Sequence, residues 1–228
     1  MIIRQRQHWL RMLFIWRGSV LLRILPQLAA VTGLAILVTV LHGRVFELKV
    51  PLTFVPFTLI GVALAVFLGF RNNASYDRYW EGRKLWGSLL SESRTLARQY
   101  LTLVTDTQQQ QTFVYSLAAL SHALRHQLRG TEASHDLQRL LSVDVYQTLK
   151  NARFIPNLLI LHLAQQLQKQ RLQQNLEPIL AAQMELPMAK LTENICGCER
   201  LSSTPLPYTY VVILHRTAYL YCFLLPFG

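Results

Sequence analysis

"FLGFRNNASYDRYWEGRKLWG", residues 67–87, passes within four residues from purely apolar side chains to a dense mixture of arginines, carboxylates and aromatics. From Arg71 to Tyr100 the chain holds no proline and only weak breakers in Gly82 and Gly87, so the spacing predicts one helix running straight through the change. A helix that leaves an apolar solvent for water at a fixed point reads as a membrane span emerging at the interface. The uncharged run that precedes it, Val50 to Phe70, is twenty-one residues long and matches the hydrocarbon thickness.

A second uncharged run, Ile24 to Leu41, is eighteen residues long and includes Pro26 and Gly33, which spanning helices tolerate. Only the short polar connection "HGRVFELK", residues 42–49, separates the two, so they pair as an antiparallel hairpin. Before the hairpin lie Arg4, Arg6, Arg11, Arg17 and Arg23, without an acid and interleaved with Trp9 and Trp16. That pattern is a basic amphipathic helix lying on the membrane surface, not a cleavable signal. Arg71, Arg78, Arg83 and Lys84 follow the hairpin, whereas its loop carries only Arg44 and Lys49. The excess of basic residues on both flanks puts both ends, and the amino terminus, in the cytoplasm.

Composition agrees. The 228 residues are 51% hydrophobic but only 15% charged, where soluble domains carry about a quarter. The net charge of +11 asks for an anionic partner, and the bilayer surface supplies one. Zinc-finger spacings, RNP-like motifs and lysine-rich tails are absent, which argues against nucleic acid. Cys196 and Cys198 stand in a C-G-C, not the C-x-x-C of a zinc or redox site, and Cys222 lies in an apolar run. His122 and His126 have the i, i+4 spacing of a metal pair but lack the intervening glutamate of H-E-x-x-H. No catalytic constellation or phosphate loop emerges, so the reading is of a protein without enzymatic activity, metal or cofactor.

The 71–203 region reads as a helical cytosolic domain. If the second span continues for fifty residues it would reach about 75 Å, and a bend or break near a glycine is expected. "TFVYSLAALSHALRHQL" (112–128) has an apolar stripe; "IPNLLILHLAQQLQKQRLQQ" (155–174) opens with a proline suited to a first helical position. "LEPILAAQMELPMAKL" (176–191) carries two prolines and should be kinked or interrupted. Residues 204–228 form a third hydrophobic helix with His215 and Arg216 in its middle, so it should be buried in protein rather than lipid-facing. The abrupt apolar end leads us to expect that more chain follows.

Within the second span, Gly61, Ala65 and Gly69 form a small-residue line that lets helix backbones approach closely. Beside it run Val62, Val66 and Phe70, also one turn apart. Around a shared axis the second line would make stacked apolar constrictions that gate by dewetting; both lines also fit ordinary lipid-facing or intersubunit positions. In the charged continuation, Arg78 and Glu81 are i, i+3 neighbours and Asp77 and Glu81 i, i+4. Arg216 needs an acidic partner, and Asp77 and Glu81 are the candidates.

"GFRNNASYDRYWEGRKLWG" (69–87) closely resembles the signature of bacterial bestrophins, and "CERLSSTPLPYTYVVILHRTAYLYCFLLPF" (198–227), with its C-E-R, T-P-x-P and L-H-R elements, resembles their second signature. With the spacing between them the resemblance covers almost the whole chain. It implies an all-α, homopentameric channel for monovalent ions in the bacterial inner membrane. In that family a hydrophobic neck uses three apolar positions of the second membrane helix, which here are Val62, Val66 and Phe70; valine departs from the larger residues usual at the first two. A cytosolic constriction matches Ile179, with Leu180 as the alternative. Family precedent points to chloride, and a bacterial member can instead prefer sodium. The acidic calcium clasp of animal members finds no match, and bacterial relatives usually continue with a fourth membrane helix and a short tail. The different reading, a non-conducting membrane scaffold or receptor with a helical cytosolic domain, explains spans and charge but not the two lines of the second span.

Overall fold

A computed structural model describes residues 21–40, 44–45, 48–49 and 54–227. The basic amino-terminal segment, apart from its last residues, lies outside them. Helix α1 runs Leu21–Val40 and keeps Pro26 inside it. The hairpin connection holds two short strands, β1 (Arg44–Val45) and β2 (Leu48–Lys49), paired antiparallel with Arg44 opposite Lys49 and Val45 opposite Leu48. Helix α2 runs Phe54–Leu103 as a single fifty-residue element. There follow α3 (Thr107–Arg129), α4 (Ser134–Leu140), α5 (Val143–Leu149), α6 (Ile155–Leu172), α7 (Pro178–Ser203), α8 (Tyr208–Leu224) and a closing 3-10 turn, Leu225–Phe227.

Of the bend or break expected in α2 and the kink or interruption expected in α7, neither the break nor the interruption occurs. No break occurs at Gly82 or Gly87 of α2, because a glycine costs a helix only about 1 kcal/mol against alanine and packing outweighs that. The two prolines near residue 180 do not interrupt α7 either. Pro178 is its first residue, where a missing N–H costs nothing. Pro187 lies mid-helix and is buried, and the carbonyl it leaves unpaired belongs to solvent-exposed Gln183.

The chain divides into two compact units, one of residues 1–72 with 207–228 and one of residues 73–206, and the division falls within α2. In the first, α1 and the start of α2 are long and apolar enough to span a membrane, and the buried apolar side chains are Val38, Phe57, Leu64 and Leu214 among the described residues.

The second unit has a conventional core. On α3, Phe113, Leu117, Leu120 and Leu124 recur at helical spacing, and all are buried with Leu159, Leu163 and Leu167 of α6, Met184, Met188, Leu191 and Ile195 of α7, and Leu89, Leu96 and Tyr100 of α2. Tyr100 and Phe113 stack with ring centroids 3.8 Å apart. The α2–α3 corner is closed by side chains. Gln110 donates to the carbonyls of Leu101 and Val104, 3.0 and 2.6 Å away, and Asp106 caps α3 by accepting from the amides of Gln108 and Gln109. Gly130, at φ 61°, ends α3 in the left-handed conformation that favours glycine.

Candidate functional site

At 3.6 residues per turn, Val62, Val66 and Phe70 share an arc of about 80° on α2, and the buried Phe57 and Leu64 lie about 170° from its centre. The three are 64%, 51% and 66% exposed, so the protein's own chain covers the opposite face and leaves this one open. The small-residue line runs beside it. At Gly61 the Tyr221 hydroxyl of α8 approaches so closely that a Cβ would lie 3.2 Å from it. Ala65 and Gly69 are exposed, and around Gly69 a Cβ would meet nothing within 4 Å. Gly61 therefore packs within the chain, and the rest of the line is free to receive a neighbouring helix.

The charged continuation of α2 is held by α7 in an antiparallel ladder. Arg78 donates to the carbonyls of Leu201 and Thr204, both at 2.5 Å. Arg200 is ion-paired with Glu81. At Gly197 a Cβ would stand 2.7 Å from Leu85, so only glycine fits without displacement. The Asn194 amide donates to the Ser88 hydroxyl at 2.9 Å, and Lys190 reaches Glu92 at 4.0 Å. Going up α2 through residues 78, 81, 85, 88 and 92, the partners run back along α7 through 204 and 201, 200, 197, 194 and 190. Glu81 thus takes Arg200 rather than its i, i+3 neighbour Arg78, whose guanidinium caps the orphan carbonyls at the end of α7. Asp77 and Arg216 are both exposed, and neither has an ion pair among the described residues. Arg200 is the arginine of the C-E-R motif, which by itself does not reveal the Glu81 partner. The stride 190, 194, 197, 200, 204 on one face of α7 was the available signal.

At the other end of α7, Ile179 is 72% exposed whereas Leu180 packs against the core. Of the two constriction candidates, only Ile179 presents its side chain outward.

His122 and His126 converge on an ion pair. Their ring nitrogens lie 2.8 and 3.1 Å from Asp136 Oδ2, and Arg125 donates to the same oxygen at 2.6 Å. Hydrogen bonds from His126 and His122, with the added charge of Arg125, hold the Asp136 carboxyl well below the usual carboxylate range. The Arg125 guanidinium also lies 2.6 Å from His126 Nε2, and no metal-holding group of three or more such residues occurs among the described residues. Burial lowers the His162 imidazole, whose Nε2 accepts from Gln166 at 2.6 Å. Burial, and then Glu199, raise the Cys198 thiol, and burial with nearby Asp106 pushes the Tyr100 phenol up to about 12. None of these groups faces a catalytic partner.

Comparison with known proteins gives a consistent answer. The profile of the bacterial/fungal bestrophin protein family matches residues 1–228. A voltage-dependent anion channel-forming protein of Ralstonia nicotianae is 44% identical over the whole chain, which spans 76% of that relative. The voltage-dependent anion channel-forming protein YneE of Escherichia coli K12 is 38% identical over the whole chain, which spans 75% of it. Among solved structures, a variant of a bacterial bestrophin homologue from Klebsiella pneumoniae superposes with a TM-score of 0.87 at 38% identity, covering 93% of this chain and 78% of that one. The same homologue phased on zinc gives 0.86 at 36% identity, covering 90% and 76%.

Proposed function

The chain belongs to the bacterial and fungal bestrophin family, a family of membrane channels and not of enzymes, and on that premise we propose that it forms a homopentameric pore in the inner membrane that passes monovalent anions, with chloride as the expected ion. The amino terminus lies in the cytoplasm, following the flanking arginines. Val62, Val66 and Phe70 from each copy make a neck of three stacked apolar rings. Ala65 and Gly69 set the close packing of the helices that form it, while Gly61 seats α2 against α8 of its own chain. A hydrated ion entering from outside sheds water at these rings, crosses a basic cytosolic vestibule and leaves past a ring of Ile179.

The observation that carries this reading is the open face of α2, where three bulky apolar side chains stand one turn apart and more than half exposed. An apolar stripe left bare by its own chain awaits either lipid or its own symmetry mates. The small-residue line beside it supports the mates. Neutral rings do not choose the sign of the ion; dewetting controls whether an ion passes. The sign comes from the surrounding field, and a net charge of +11 supports anions. The relatives named as anion channel-forming proteins support the same choice.

Reversal potentials of the purified protein in planar bilayers test the proposal. In asymmetric sodium chloride the potential should approach the chloride equilibrium value, and replacing chloride with gluconate should collapse the anion current. A potential tracking sodium would reverse the assigned selectivity. Absence of current under all conditions would favour the non-conducting scaffold.

A further inference from the structure

The ladder between α2 and α7 joins the two helices that carry the proposed constrictions. Alpha-2 bears Val62, Val66 and Phe70; α7 bears Ile179 at its first turn and, twenty-one residues later, Arg200. Between residues 190 and 204 specific contacts mark how far α7 slides along α2. Beside the Asn194–Ser88 hydrogen bond and the long Lys190–Glu92 pair, three contacts near the end of α7 hold the register. Leu85 seats in the notch above Gly197. Arg200 is ion-paired with Glu81. The Arg78 guanidinium is anchored on the carbonyls of Leu201 and Thr204, which exist only at the end of the helix. A shift of α7 by one turn would unseat Leu85, separate the pair and move the helix end away from Arg78 together.

We propose that Arg78, Glu81 and Arg200 are positioning residues for ion passage: by locking the register of α7 on α2 they set where the Ile179 ring stands. The inference rests on the reading of Ile179 as a constriction. The lock is graded. Arg78 makes two charge-assisted hydrogen bonds to one helix end. The Glu81–Arg200 pair is partly exposed and therefore weaker. Loosening the pair should leave the neck rings as they are, which a Val66→Ala background tests.

The test is a set of bilayer recordings on the full chain. Wild-type currents establish the channel itself, and an altered conductance in Ile179→Ala alone establishes the constriction, so failure of the earlier reading shows separately. Glu81→Gln and Arg200→Gln should each change unitary conductance or the anion permeability ratio by at most about fivefold, as expected for breaking a partly exposed ion pair. Arg78→Gln should exceed both, and Arg78→Lys should fall between it and wild type. The exchanged pair Glu81→Arg with Arg200→Glu should return conduction toward wild type. On an Ile179→Ala background, Glu81→Gln should have no further effect, whereas on a Val66→Ala background its effect should persist. The proposal is overturned if the exchanged pair does not rescue, or if Glu81→Gln acts undiminished without Ile179. Both variants remain readable where they fold, and the exchange retains both charges should either single change not fold.

Discussion

The two units of the chain dispose of their apolar side chains in opposite ways. In residues 73–206, leucines of α3, α6 and α7 disappear into one core, with Leu96, Leu120, Leu159, Leu163 and Leu191 fully buried. In the spans, Leu28, Ile36, Leu37, Leu59, Val62, Val66 and Phe70 are exposed in the isolated chain. The same residue types thus serve two solvents. The first unit leaves most of its apolar side chains for another solvent or surface to cover, and the second gathers its own into a core while leaving others, such as Ile179 and Leu186, exposed. Stability and conduction should consequently be separable by mutation.

The largest effect on stability is expected in the second unit. Leu120→Ala or Leu163→Ala leaves a cavity in a filled core and should cost about 2–5 kcal/mol in chemical unfolding of the detergent-solubilised protein. A loss as small as that of a surface change would mean that the core relaxes into the gap. Next comes Gly197→Val, which drives a branched side chain into Leu85. It should cost about 1–3 kcal/mol, and a double change with Leu85→Ala should recover part of that.

Two acid-induced losses belong to the same unit and fall in different windows. Burial lowers the folded His162 below the ordinary histidine value. The unfolded chain therefore binds the proton first, and stability falls as pH drops below about 6.5 toward the folded value. His162→Gln should flatten that slope in thermal unfolding measured from neutral to mildly acidic pH. Asp136 is lowered too, but a depressed carboxylate contributes stability that is kept above its unfolded value, about 3.9, and lost only below it. Asp136→Asn should remove the loss in the lower window, below about 3.9. A single transition abolished by Asp136→Asn would place the acid sensitivity at the wrong group.

The smallest effect on stability belongs to the open face of the first unit. Val66→Ala in the solubilised protein should change unfolding by no more than about 0.5 kcal/mol, because the side chain has little of its own chain to lose.

Much of this was legible in the sequence because solvent preference is local. Two uncharged runs declare the spans of a membrane protein, and the change at Phe70–Arg71 declares where the apolar run ends. The motifs at 69–87 and 198–227 are long enough to identify the family, which the comparisons bear out. What was not legible is long-range or cooperative. Local spacing suggested Arg78 for Glu81, yet the partner is Arg200, 119 residues away along the chain. Gly82, Gly87 and Pro187 read by local propensity as places to bend or break, and packing along the ladder and core carries both helices through them unbroken. The His122–His126 pair has metal spacing on its own helix, but Asp136 arrives from α4 and makes it an ion-pair cluster.

The central claim is that the open face of α2 lines the ion path. Single-channel recording of Val62→Ala, Val66→Ala and Phe70→Ala combined, beside wild type in the same bilayers, tests it most directly. The account predicts a wider, less gated pore, with larger and more persistent unitary currents than wild type. Currents of unaltered size and gating would contradict it and remove these residues from the pore.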